Sequence, residues 1–200
     1  MLEAAASHDL WFWHAYFGPA GSNNDINVLH QSPIFDDVYD GIAPECPFQV
    51  NNVTYKHRYY LTDGIYPGWV TLVKAYTAPT GDKWQKIKIA QESACKDIER
   101  AFGVLKQRWH IIHHLARAWR PMKLRNIMYN CIILHNMILE DEGNAICGGD
   151  YEPYEIETQM SEEQCTTNVR ELRNLEKHHA LQAYLVDHIW RIRLPNDEYN

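Results

Sequence analysis

The chain has 200 residues, of which 46% are hydrophobic and 22% charged, enough apolar material for about one ordinary domain. Nineteen Lys and Arg against 26 Asp and Glu give a net charge of −7, which excludes a uniformly basic coat for nucleic acid but not a locally basic face. The longest apolar run, Cys131–Leu134 with Met137–Leu139, is broken by His135 and Asn136 and falls well short of the roughly 18–20 residues of a membrane helix. The N-terminus lacks the basic start and apolar stretch of a signal peptide. Five cysteines (46, 95, 131, 147 and 165) are odd in number and form no C-x-x-C pair, so they read as reduced thiols rather than a disulfide framework or zinc finger.

In chain order, Trp11–Phe17 is dense in β-forming aromatics and predicts a strand, ended by the turn residues 18–24. Asp25–Leu29 predicts the first turn of a short helix with Asn or Asp as its cap. Phe48–Val50 and Val53–Tyr55 read as a hairpin turning at Asn51-Asn52, and Arg58–Leu61 as a further strand that stops at Asp63-Gly64. Ala94, Ile98, Ala101, Phe102, Leu105, Trp109 and Ile112 recur in steps of three and four, so Gln91 to about Trp109 is an amphipathic helix. The same pattern returns after Pro121 at Leu124, Ile127, Met128, Cys131, Leu134, His135 and Ile138. Asp150–Glu163 is acidic, lacks bases and contains Pro153, a linker composition, and Leu181, Tyr184, Leu185, His188 and Ile189 suggest a last helix. No internal repeat is visible.

Charge is segregated along this order. Between Lys83 and Arg125 stand eleven bases (Lys83, Lys86, Lys88, Lys96, Arg100, Lys106, Arg108, Arg117, Arg120, Lys123, Arg125) and only three acids (Glu92, Asp97, Glu99). The remainder of the chain holds eight bases and 23 acids. Such a block is an electrostatic footprint for phosphate, or else a solvated helix face balanced by acids elsewhere. Within it Glu99 adjoins the apolar stripe, and Asp63 follows a strand. Each reads either as a surface ion-pair partner or as a ligand for a hard divalent cation, which takes one or two protein carboxylates plus phosphate and water. His135, on an apolar helix face, reads as a hydrogen-bonded core histidine. The adjacent pairs His113-His114 and His178-His179 point in different directions and make poor joint ligands. Trp109 and Trp119 read as core, or as stacking platforms for bases.

Several blocks, in order, resemble the PIF/Harbinger class of DDE transposases, of plant type. They are His8–Gly18 (HDLWFWHAYFG), Gly21–Leu29 (GSNNDINVL), Tyr59–Pro67 (YYLTDGIYP), Ala90–Ala94 (AQESA), Lys96–Leu105 (KDIERAFGVL) and His135–Ile138 (HNMI). Together they cover about Leu2 to Glu142 and are highly specific as a set. The resemblance implies an α/β chain with a partial ribonuclease-H-like (DDE transposase) core, followed by helices and an acidic tail. It divides the chain into a partial DDE endonuclease domain at 1–142, an acidic linker at 143–168 and a helical tail at 169–200. It implies metal-dependent cleavage of DNA phosphodiesters with Mg²⁺ or Mn²⁺. Asp63 and Glu99 match catalytic, metal-binding positions, and Asp25 matches a further family acid counted among metal ligands. Lys96, Arg100, Lys106 and Arg108 would contact the DNA backbone. A nuclear location and a Myb-like partner protein of the transposon system are implied as well.

The sequence departs from the family pattern in three ways. Met1-Leu2-Glu3-Ala4 resembles the tail of the second core strand, so the first strand and its catalytic Asp have no match. The upstream helix-turn-helix region has none either, and Cys95 stands where Arg is common. The expectation is therefore a catalytically incomplete nuclease, the alternative being a non-catalytic, domesticated DNA- or protein-binding remnant. An unrelated α/β hydrolase would require a motif such as G-x-S-x-G, which the chain lacks.

Overall fold

A computed structural model describes residues 2–18, 24–43, 46–76, 80–117, 120–143 and 161–192, the side chains of 114–117 excepted. Its elements are β1 (Leu2–Ala6), β2 (Phe12–Phe17), α1 (Asp25–Gln31), α2 (Asp36–Tyr39), β3 (Phe48–Val50), β4 (Val53–Tyr55), β5 (Tyr60–Thr62) and β6 (Leu72–Lys74). They continue with α3 (Asp82–Arg108), α4 (Pro121–Asp141), α5 (Glu162–Leu172) and α6 (Leu175–Arg191), with single-turn or 3₁₀ segments at Pro33–Phe35 and His110–Arg117. Mixed α/β character is as expected. The strands, however, pair into three two-stranded sheets among the described residues: β1 with β2, β3 with β4, and β5 with β6. The chain divides into two compact units, Met1–Ser32 with Cys95–Pro153, and Pro33–Ala94 with Tyr154–Asn200.

In the first unit β1 and β2 form an antiparallel hairpin, with Ala4 opposite Ala15, Ala5 opposite His14 and a register shift at Ala5/Ala6. Strand alternation splits its side chains between two faces. Ala4, Ala6, Phe12 and Ala15 pack against Ile98, Ala101, Phe102 and Leu105 of α3 and against Ile127, Met128, Cys131 and Ile132 of α4. Glu3 and His14 lie on the other face. Pro121 opens α4 at the first helical position, where its missing N–H is no loss.

Helix α4 also closes the outer edge of β2. The Asn136 carboxamide donates to the Phe12 carbonyl at 2.8 Å and accepts from the Phe12 N–H at 3.0 Å, while the Tyr129 hydroxyl accepts from the Phe17 N–H at 3.2 Å. His135, fully buried, donates from Nε2 to the Leu10 carbonyl at 3.0 Å. Leu10 presents that oxygen from a left-handed conformation (φ 69°) in the turn between the strands. The core reading of His135 holds.

In the second unit the β3–β4 hairpin turns at Asn51 and Asn52, both in the left-handed region (φ 50° and 64°), as a type I′ turn demands. Val50, Tyr55 and Val73 pack with Leu181 and Leu185 of α6. β5 and β6 run parallel, so both end on the same side. Trp69, between them in sequence, meets Phe35 edge to face, and its carbonyl accepts from His178 Nδ1 at 2.8 Å.

Three elements differ from the sequence reading. Helix α3 begins at Asp82 rather than Gln91. Ile87 and Gln91, four apart, are buried, and Gln91 Nε2 donates to the Val73 carbonyl at 3.1 Å. Strand β6, a short apolar run, was not anticipated. Helix α5 starts inside the acidic stretch, where Ser161 and Gln164 form a reciprocal capping box. Residues 144–160 of the expected linker, with Cys147 and Trp119, lie outside the described residues, and the cysteines that are described are free thiols. No described helix is long and apolar enough to cross a membrane.

Replacing Asn136 by Ala strands two backbone groups of buried Phe12 and should cost roughly 2–4 kcal/mol in urea unfolding; an unchanged midpoint would show that the edge is held by packing alone. Burial lowers the pKa of His135 below its ordinary 6.5, with neighbouring Arg108 also opposing the charge, and burial lowers those of His14 and His178 as well. The unfolded chain then binds protons that the folded chain refuses. Stability should be full above about pH 6.5 and fall as the pH drops below it, read as a declining urea midpoint between about pH 7.5 and 5.5.

Candidate functional site

The stripe that buries α3 against the hairpin leaves the opposite face to water. Lys96, Glu99, Arg100, Gly103 and Lys106 fall within one arc of that face, and all five are exposed. Lys96 and Lys106 form no ion pair among the described residues. Arg100 reaches Asp97 at 2.8 Å, one turn away. Arg108 is half-buried and differently employed: it lies 3.5 Å from His135 Nδ1 and 3.9 Å from Glu142. Of the four bases expected at a DNA backbone, two have no ion pair among the described residues, one is shared and one is tied into the core. At the centre of the arc a Cβ added to Gly103 would meet nothing within 4 Å, so the helix backbone is bare there.

The three carboxylates expected as metal ligands are all exposed. Asp25 is exposed in the first turn of α1, behind the Asn24 cap whose side chain accepts from the Asn27 N–H at 2.9 Å. Asp63 is exposed just after β5 in the second unit, and its carbonyl accepts from the Tyr66 N–H at 3.3 Å. Glu99 is exposed on α3 in the first unit. Among the described residues no three His, Cys, Asp or Glu side chains gather into a group able to hold a metal ion. Asp25 and Glu99 are thus exposed carboxylates of the first unit and Asp63 an exposed carboxylate of the second.

Sequence reasoning missed a polar cluster on the open face of the β1–β2 hairpin. Glu3 faces Ser32 and Asp25: burial raises its pKa above 4.5, the Ser32 hydroxyl opposes that rise, and the Asp25 charge adds to it. One of its oxygens, Oε2, is buried without a hydrogen-bond partner. Ser32, itself buried, lies 2.9 Å from His14 Nε2. The available signal was alternation: Glu3 and His14 are polar positions on the strand face opposite Ala4 and Ala15, which pack inward. Ser32, which caps the end of α1, carried no pattern of its own.

Residues 1–146 match the family model described as plant transposon protein. A relative from Arabidopsis thaliana, Protein ALP1-like, is 28% identical over 151 residues, which cover 72% of this chain and 36% of the relative. The chain therefore spans about a third of that curated relative's length. No solved structure matches it. With nearly three quarters of its length inside the family model and its motifs in family order, the chain belongs to the plant transposon proteins, the Harbinger-derived, transposase-like family.

Proposed function

We propose that this chain is a transposase-derived domain that grips the DNA backbone through the exposed basic face of α3 and works in the nucleus. In this reading residues 1–142 descend from a DDE endonuclease domain of ribonuclease-H-like ancestry, in which α3 and α4 pack against the β1–β2 hairpin. The supporting observation is the arc of α3 on which Lys96 and Lys106 stand exposed and without an ion pair among the described residues, with Arg100 beside them. Their chemistry is positional: each neutralises a phosphate and releases a counterion, without reading sequence. The bare backbone at Gly103 lets a sugar-phosphate chain approach the helix between them.

Phosphodiester cleavage is the second reading, favoured by Asp63 and Glu99 standing at the family's acidic motif positions.

Duplex binding should weaken with salt, and Lys96→Gln and Lys106→Gln should each lower the slope of log K against log salt by about one. Slopes unchanged in both variants would remove α3 from the interface. Gly103→Ala should stabilise the fold by about 0.5–1 kcal/mol while weakening duplex binding. Cleavage has its own test: nicking that requires Mg²⁺ or Mn²⁺ and is lost in both Asp63→Asn and Glu99→Gln would establish it, and intact plasmid would leave binding alone.

A further inference from the structure

The parallel pair β5–β6 ends at an open pocket of about 380 Å³, lying wholly within the second unit. Its lining includes Gly64, next to Asp63, together with Lys74 and Tyr76 at the end of β6 and His178, His179 and Gln182 of α6. Crevices at the carboxyl ends of parallel strands are the usual place for ligands in α/β sheets. This volume suits a small organic molecule. Four of the nine lining residues come from α6, beyond residue 146, where the family model ends.

The chemistry of that wall is cationic and donor-rich. Lys74 forms no ion pair among the described residues, and both Lys74 and His179 are close enough to bear on the charge of His178. Gln182 adds an amide and Tyr76 a phenol, kept in its neutral, donating form by burial. His178 is 2% exposed, and its Nδ1 is committed as a donor to the Trp69 carbonyl at 2.8 Å. Its Nε2 has no protein partner among the described residues. Gly68 keeps that nitrogen accessible: a Cβ there would come within 3.7 Å of Nε2 and 2.9 Å of the Leu175 side chain.

We propose that this pocket binds a phosphate monoester, with Lys74 and His179 meeting its charge and His178 Nε2 meeting its terminal oxygen. A monoester suits His178 better than a diester does. With Nδ1 donating, neutral Nε2 is an acceptor, and a monoester, unlike a diester, can bind a second proton, which leaves near pH 6 in water and which on binding is taken up to bridge its terminal oxygen and Nε2. When the ring is protonated instead, Nε2–H donates to the same oxygen. A diester in a DNA backbone has no such proton. The monoester is either a free nucleotide or the 5′-phosphorylated end of a DNA strand. The pocket does not depend on α3 or on any metal.

The experiment is a titration of the full chain with inorganic phosphate, then with a 5′-mononucleotide and with short duplexes bearing either 5′-phosphate or 5′-hydroxyl ends. Binding is followed by calorimetry and by the imidazole NMR signals of His178 and His179. Saturable phosphate binding that shifts both imidazoles, and that weakens at least about tenfold in the exposed-side variants Lys74→Gln and His179→Gln, is expected. Those variants avoid the buried His178, whose loss would also break the bond to Trp69. A nucleotide that binds more tightly than either duplex identifies a free nucleotide as ligand. A 5′-phosphate duplex that binds more tightly than the 5′-hydroxyl duplex, with the difference erased by Lys74→Gln, identifies a strand end. No saturation by about 10 mM phosphate, imidazole signals that do not move, or equal loss of both duplexes in Lys74→Gln would each overturn the proposal.

Discussion

The first unit hangs on a carboxamide. A two-stranded hairpin is marginal by itself, and here one of its edges is closed by a helix side chain rather than by a third strand. Asn136 offers one donor and one acceptor at the spacing of a strand residue, and both groups of Phe12 take them. Apolar packing brings α4 to the hairpin, but it is indifferent to small slides along the strand. The two hydrogen bonds are directional and fix the register. Phe12 is thereby held over Ala101 and Leu105, and the same contact turns the hydrated face of α3 outward.

Much of this was legible because periodicity is a local signal. The stripe from Ala94 to Trp109 marks the C-terminal part of α3, and Asn51-Asn52 marks a turn that the structure has there, with both residues left-handed. The first nine residues of α3 were hidden by Lys83, Lys86 and Lys88, which crowd charge around Ile87 and mask a stripe that only tertiary packing completes. Strand β6 was hidden for the opposite reason: Val70–Val73 is a short run with no alternation, and its parallel partner is supplied from elsewhere in the chain. Composition also misled at α5, where an acid-rich start is what a helix N-terminus favours once Ser161 caps it.

Site residues divide along the same line. Motif matching named Asp25, Asp63 and Glu99 by position, and a motif states which residue types recur, not which side chains meet in this chain. Arg108 shows the gap most plainly. It belongs to the basic block by composition, yet it faces His135 and Glu142, because the turn of α3 that carries it is the one packed on α4. By adjacency alone His178 and His179 read as poor joint ligands, yet both rings line one pocket, and the partners that orient His178 are Trp69 and Gly68, more than a hundred residues earlier.

The cluster behind the hairpin carries an ordering of protons. Ser32 has a single hydroxyl hydrogen, and Glu3 and His14 both press against its oxygen. While Glu3 is ionised the hydrogen points to the carboxylate, so His14 must present Nε2–H to the serine and leave Nδ1 bare. A proton arriving on the carboxyl oxygen beside Ser32 reverses the row: the acid donates to the hydroxyl, the hydroxyl turns to the imidazole, and His14 shifts its hydrogen to Nδ1. The tautomer of one histidine thus depends on whether the carboxyl oxygen beside Ser32, on the neighbouring strand, carries a proton.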